Sequence, residues 1–146
     1  MSNYKLIGKK IIGGQEVLVN PVTAGGANVV LEDVPCEASV YVGSAVIMQA
    51  SGIAKNGLAD SIANSNILGI VEAKNDTELC NIRVLGVSLS IYTGLDVTKE
   101  YFLSATVAGE ITTIIPTTSG NVILKLGQPF SATEFLMNKS DRTIRT

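Results

Sequence analysis

Apolar residues along this chain come in short runs, each broken by turn chemistry, and the pattern repeats to the end. The runs predict strands at Tyr4–Ile7, Glu16–Val19, Asn28–Leu31, Ser39–Val42, Ala45–Gln49, Ile53–Leu58, Ile67–Glu72 and Thr77–Leu85. Further strands are expected at Val87–Tyr92, Tyr101–Ala105, Glu110–Ile115, Val122–Leu126 and Thr133–Met137. Between them lie Gly13-Gly14, Gly25-Gly26, Ser51-Gly52, Asn75-Asp76, Ala108-Gly109 and Ser119-Gly120, pairs that favour tight turns. No long segment keeps a 3.6-residue period. The best helix candidate, Gly57–Ser65, is short, holds Gly57, Asn64 and Ser65, and reads mostly as loop. Many short, evenly spaced strands predict an all-β fold, a small antiparallel β-barrel or sandwich.

Two stretches allow a finer reading. In Glu78–Val84 the apolar face is Cys80, Ile82 and Val84, whereas in Val87–Ile91 it is Val87, Leu89 and Ile91, opposite Ser88 and Ser90. The inward parity flips from even to odd, so something must absorb one residue, and Gly86 stands at the flip as the natural bulge or bend. The second stretch, EITTIIPTTSGNVILKLG (Glu110–Gly127), reads as two strands around a turn opened by Pro116 and closed by Ser119-Gly120. Ile111, Thr113 and Ile115 share one face of the first strand, and Ile123 stands opposite Val122 and Leu124 in the second. Both strands carry apolar residues on both faces, unlike a half-exposed hairpin. One face suits the subunit's own core and the other a neighbouring subunit, which makes Ile111, Thr113, Ile115 and Ile123 candidate subunit contacts.

Composition fits this picture. Hydrophobic residues make up 46% and charged residues only 16%, too apolar for a disordered chain and too sparsely charged for a helical bundle. The net charge of −2 hides an asymmetry. Lys5, Lys9 and Lys10 make residues 1–15 basic, and Lys139, Arg142 and Arg145 against Asp141 make residues 139–146 basic, around an acidic middle. The termini read either as docking elements for an acidic surface or as ordinary solvated tails. A boundary is expected near Asp33-Val34-Pro35. It would divide residues 1–35, an extended N-terminal attachment arm or strand region, from a β module over 36–138 and a basic tail over 139–146. The N-terminal stretch lacks the apolar core of a signal peptide, and no window is apolar enough to span a membrane. Cys36 and Cys80 read as small packed thiols in a reducing compartment, with a disulfide as the alternative.

Candidate chemistry is thin. There is no His, no CxxC, no P-loop and no GxGxxG. Glu32, Asp33, Glu37, Asp60, Glu72, Asp76 and Glu78 are scattered, and nothing selects a catalytic pair among them. Asn75, Asp76 and Glu78 lack the spacing of a calcium loop. Basic residues do not interleave with the aromatics, so nucleic-acid binding is not expected. The expectation is a protein without enzymatic activity, cofactor or metal.

Tyr101–Met137 resembles a module of tailed-bacteriophage structural proteins. The matching pieces are Tyr101-Phe102-Leu103-Ser104, Gly109-Glu110-Ile111-Thr112, Pro116, Val122 to Gly127 and Ser131-Ala132-Thr133. Upstream, Ser44–Ser61 and Asn66–Lys74 resemble the first half of the same module, and the resemblance covers roughly residues 38–138. It implies a head fibre or capsid decoration protein, a homotrimer on the capsid surface of the virion, made in the host cytoplasm. Its partners would be copies of itself and the capsid or other virion proteins, with no nucleic acid and no membrane. Carried over, Tyr4, Lys5, Lys9 and Lys10 would belong to a capsid-attachment arm. The alternative is a carbohydrate-binding or adhesin module at a tail tip, for which Tyr41 and Tyr92 are the aromatic candidates.

Overall fold

A computed structural model describes residues 28–146 and, by backbone alone, residues 9–12 and 15–18. The strands are β1 (Lys9–Ile12), β2 (Gln15–Leu18), β3 (Val29–Pro35), β4 (Ala45–Met48), β5 (Ala54–Asn56), β6 (Gly69–Asp76) and β7 (Leu79–Val87). They continue with β8 (Tyr101–Leu103), β9 (Ile111–Thr112), β10 (Val122–Ile123), β11 (Lys125–Pro129), β12 (Phe135–Met137) and β13 (Thr143–Ile144). One 3-10 turn, Ala63–Ser65, falls inside the stretch that reads as loop. The protein is all β, and its main sheet is antiparallel and curls into a half-barrel.

That sheet has nine strands, in the order β5-β4-β6-β7-β12-β11-β8-β9, with β3 also paired to β7. Two small sheets are separate from it. In one, β1 and β2 pair antiparallel, with Ile12 opposite Gln15. In the other, β10 pairs with β13, Val122 opposite Ile144. The candidate arm residue Tyr4, like Lys5 and the strand expected at Tyr4–Ile7, lies outside the described residues. Asp33-Val34-Pro35 lies inside β3, hydrogen-bonded along β7.

Two apolar clusters fill the two faces of the sheet. Ala45, Ile47, Ile67, Ile70, Leu103, Leu124, Leu126, Phe135 and Met137 form the larger, and Cys36, Val40, Val46, Ala54, Val71, Cys80 and Ile82 the smaller. Neighbouring residues divide between them: Ala45 and Ile47 face one cluster and Val46 the other, and Ile70 and Val71 split likewise. A strand buried on both sides reads as an unbroken apolar run, which is what Ala45-Val46-Ile47 is. At the centre of the larger cluster, Phe135 meets Tyr92 and Tyr101 edge-on, with ring centroids 6.0 and 5.9 Å apart. Such pairs add roughly 0.5–1.5 kcal/mol each beyond their buried area.

The curl is held by a seam of backbone hydrogen bonds. Gly109 N–H donates to Gly57 C=O (2.7 Å), Ala45 N–H to Gly109 C=O (2.8 Å), Ala59 N–H to Ser104 C=O (2.9 Å) and Val122 N–H to Ala59 C=O (2.8 Å). Gly109 sits at φ +79°, and a Cβ there would press on Asn56 Oδ1 and Ser44 Cβ. Only glycine fits both the backbone and the space.

β7 behaves partly as its sequence predicts. Up to Leu85 it pairs with β3, and with β6 as far as Arg83; from Gly86, at φ +99°, it pairs with β12. The bend at Gly86 is therefore present. The parity flip is not: Ser88 is buried and Leu89 is exposed, opposite to expectation. Hydrogen bonding decides it. Ser88 N–H donates to Phe135 C=O (2.8 Å), Phe135 N–H donates to Ser88 Oγ (3.0 Å), and Leu89 N–H donates to Glu72 Oε1 (3.3 Å). The serine side chain stands in for a backbone acceptor, and the chain leaves the sheet after Val87. The strand expected at Ser39–Val42 is turn instead, because Ser44 Oγ donates to Tyr41 C=O (2.7 Å) and accepts from Tyr41 N–H (3.1 Å).

The hairpin expected within Glu110–Leu126 does not form. β9 stops at Thr112, whose Oγ1 accepts from Ile114 N–H (3.1 Å), and it pairs with β8, not with β10. β10 is claimed by β13, a strand the apolar pattern does not announce.

Candidate functional site

The candidate contact residues separate into two groups. Ile111 is half-buried and packs on the larger cluster, serving the chain's own core. Thr113, Ile114 and Ile115 then stand in solvent, Ile114 at 73% exposure and Ile115 at 44%, before Pro116 turns back into the protein and is buried. Ile123 is half-buried on β10 opposite Thr143, in a different sheet. The structure therefore does not join all four into one strip.

What it does present is a short apolar loop anchored at both ends. Ahead of it, Leu103 pairs with Ile111. Behind it, Gly120 N–H donates to Arg145 C=O and Arg145 N–H to Asn121 C=O, both at 2.7 Å. An isoleucine held in water on a fixed base gains nothing for the monomer, since burying a side chain of this size is worth roughly 1.5–3 kcal/mol. Ile114, which strand alternation would place on the opposite face from Ile111, is the most exposed of the large apolar residues among the described residues.

Of the other candidate residues, Lys9 and Lys10 lie on β1, which is described by its backbone. Tyr92 does not offer an open ring: its edge meets Phe135 and its hydroxyl donates to Gly43 C=O (2.8 Å), while burial pushes its pKa up. Tyr41 keeps an exposed ring, with its hydroxyl directed at Ala108 C=O. Asn75 is committed to Asp33 Oδ1 and Asn81 Oδ1, both at 2.8 Å. Those bonds brace the bulge where Asp33 takes φ +52°.

One buried polar arrangement was not foreseen. Glu72 on β6 and Arg83 on β7 form a two-pronged ion pair, Nε to Oε1 at 3.0 Å and Nη2 to Oε2 at 3.2 Å. Arg83 Nη1 reaches Asn28 Oδ1 at 3.5 Å, at the entrance to β3, and Glu72 Oε1 also takes Leu89 N–H. The pair ties β3, β6, β7 and the segment after β7 together. Its only sequence signal is two opposite charges inside apolar strands.

Cys36 and Cys80 are buried free thiols in the smaller cluster. Burial, then the neighbouring Cys36 sulfur, raises the Cys80 pKa to about 12, so this thiol stays protonated and unreactive at neutral pH. Among the described residues no group of Cys, Asp and Glu is placed to hold a metal ion, and no helix is long and apolar enough to cross a membrane. Comparison of the chain with known protein families, with curated proteins and with solved structures finds no match.

Proposed function

We propose that this chain is a structural protein of a tailed-bacteriophage particle, a head fibre or capsid decoration protein that assembles as a homotrimer and acts by binding rather than catalysis. The observation that carries the reading is the apolar loop at Thr113–Ile115, kept in solvent on an anchored base. Exposed apolar surface of this kind has its use in association, and symmetry multiplies a small patch into a stable contact. The resemblance of residues 38–138 to the phage module supports the same reading. The basic N-terminal segment, with Lys5, Lys9 and Lys10, would then be the part that meets an acidic capsid surface. Of the two aromatic candidates for a glycan-binding role, Tyr41 is the one that keeps an open ring, because the Tyr92 ring is engaged inside the protein.

Sedimentation equilibrium tests the proposal. The expected species has three times the 15.3 kDa chain mass, and the protein is expected in purified virions by mass spectrometry. A stable monomer at micromolar concentration, absent from such particles, overturns it.

A further inference from the structure

A cleft of about 440 Å³ opens between residues 62–67 and the segment after β12. Ile62, Ser65, Asn66 and Ile67 line one wall, Lys139 to Arg142 the other, and Leu124 lies at its base. The second wall is tied to the first by its cations. Lys139 Nζ donates to Ile67 C=O, and Arg142 Nη1 donates to Ile62 C=O at 2.6 Å. These bonds use one of three ammonium donors and one of about five guanidinium donors.

Two like charges held on one cleft repel, and a third charge of opposite sign is the ordinary remedy. None of the ion pairs among the described residues involves either cation. Asp141 lies on the same cleft and pairs with neither. Burial, and then the Arg142 charge, hold the Lys139 ammonium below the usual lysine range. The backbone carbonyls of Ile62 and Ile67 each hold one donor of these cations, which keeps both charges on the cleft and leaves their other donors to a ligand.

We propose that this cleft is an oxyanion site, in which the Arg142 fork and the Lys139 ammonium together clamp a carboxylate or phosphate group. The planar guanidinium matches two oxygens of either group, and the ammonium adds a compact charge beside it. The same chemistry is offered by a phosphate-bearing molecule and by an acidic side chain of another protein copy. The two sources differ in charge and in shape.

The test is an NMR titration of the intact protein with sodium phosphate, with sodium acetate and with sodium chloride at matched ionic strength. The expected result is saturable shifts at the amides of residues 62–67 and 139–142 and at the Arg142 Nε signal, with chloride producing none. Phosphate binding at least tenfold tighter than acetate assigns the site to a phosphate group; equal affinities assign it to an acidic side chain. Arg142→Gln and Lys139→Gln should each weaken binding at least tenfold, with amides outside the cleft unmoved as the check on folding. If either variant disturbs the fold, the titration of the Lys139 side chain in the natural protein decides. A bound anion must raise its pKa, and an unchanged value overturns the site. Shifts that fail to saturate, or that chloride reproduces, also overturn it, as do well-folded variants with undiminished affinity.

Discussion

A single side-chain pair carries more risk than most of the core. The Glu72–Arg83 ion pair is buried, so removing one partner strands the other charge without water. Arg83→Met alone should cost roughly 3–5 kcal/mol by urea unfolding, whereas replacing both Glu72 and Arg83 by apolar residues should cost less than either single change. Equal or additive losses would show that the pair's geometry, not its charge balance, is what the fold uses. A second residue-scale prediction concerns pH. The folded-state pKa of Cys80 lies above its ordinary value, so folding favours the protonated thiol. That contribution is complete below the unfolded-state pKa of about 8.5 and is lost as pH climbs towards 12. Tyr92 is shifted in the same direction by burial, in a higher window. Chemical unfolding between pH 8 and 11 should show declining stability, with a shallower decline in Cys80→Ala, and an unchanged slope there would exclude the thiol as a cause.

Elements follow the sequence where apolar periodicity alone decides them. β4, β5, β8 and β12 fall inside the stretches that the pattern marks, because each carries residues that must be buried, whereas β6 and β7 overrun theirs, to Asp76 and through Gly86 to Val87. The misses share a different cause. Ser88 and Ser44 enter the structure as hydrogen-bond partners of the backbone, and a hydropathy pattern scores them as outward-facing polar residues. β13 is exposed and holds its place through pairing with β10, which leaves no apolar signature. The candidate contact residues were half-legible for a related reason. The excess of isoleucine over core positions was visible, but which isoleucine stays outside depended on where β9 ends. Among the described glycines Gly127 is the most constrained. It has φ +151° at the irregularity where β11 meets β8, and a Cβ there would strike the Leu136 carbonyl. Gly127→Ala should therefore destabilise the protein by about 2 kcal/mol or more, read as a drop in the denaturant midpoint. A loss within about 0.5 kcal/mol would mean that the β11–β12 pair yields locally.

For the whole molecule, the apolar loop separates stability from assembly. Ile114 contributes little to the monomer because its side chain lies in water, so Ile114→Asp should leave the unfolding midpoint within about 0.5 kcal/mol of the parent. If the proposed trimer closes on this loop, the same change should shift sedimentation towards monomer at equal concentration. A variant that stays trimeric would move the contact elsewhere on the surface. Phe135→Ala makes the contrasting case, since that ring fills the larger cluster; it should cost roughly 3–5 kcal/mol and abolish folding before assembly can be asked about.

The seam at Gly109 has a consequence for how the protein breathes. Its bonds join residues 45–59 to residues 104–122, segments far apart in sequence that no local fluctuation can separate one at a time. The amide hydrogens of Ala45, Ala59, Gly109 and Val122 should therefore exchange with solvent deuterium together, at the rate of the slowest opening event. Loop amides such as Ile114 should exchange orders of magnitude sooner. A protein latched in this way reaches its seam late in folding, because long loops must close before the last bonds reward them. Once shut, it offers proteases few partly open forms, a property that the proposed role on a phage particle would use.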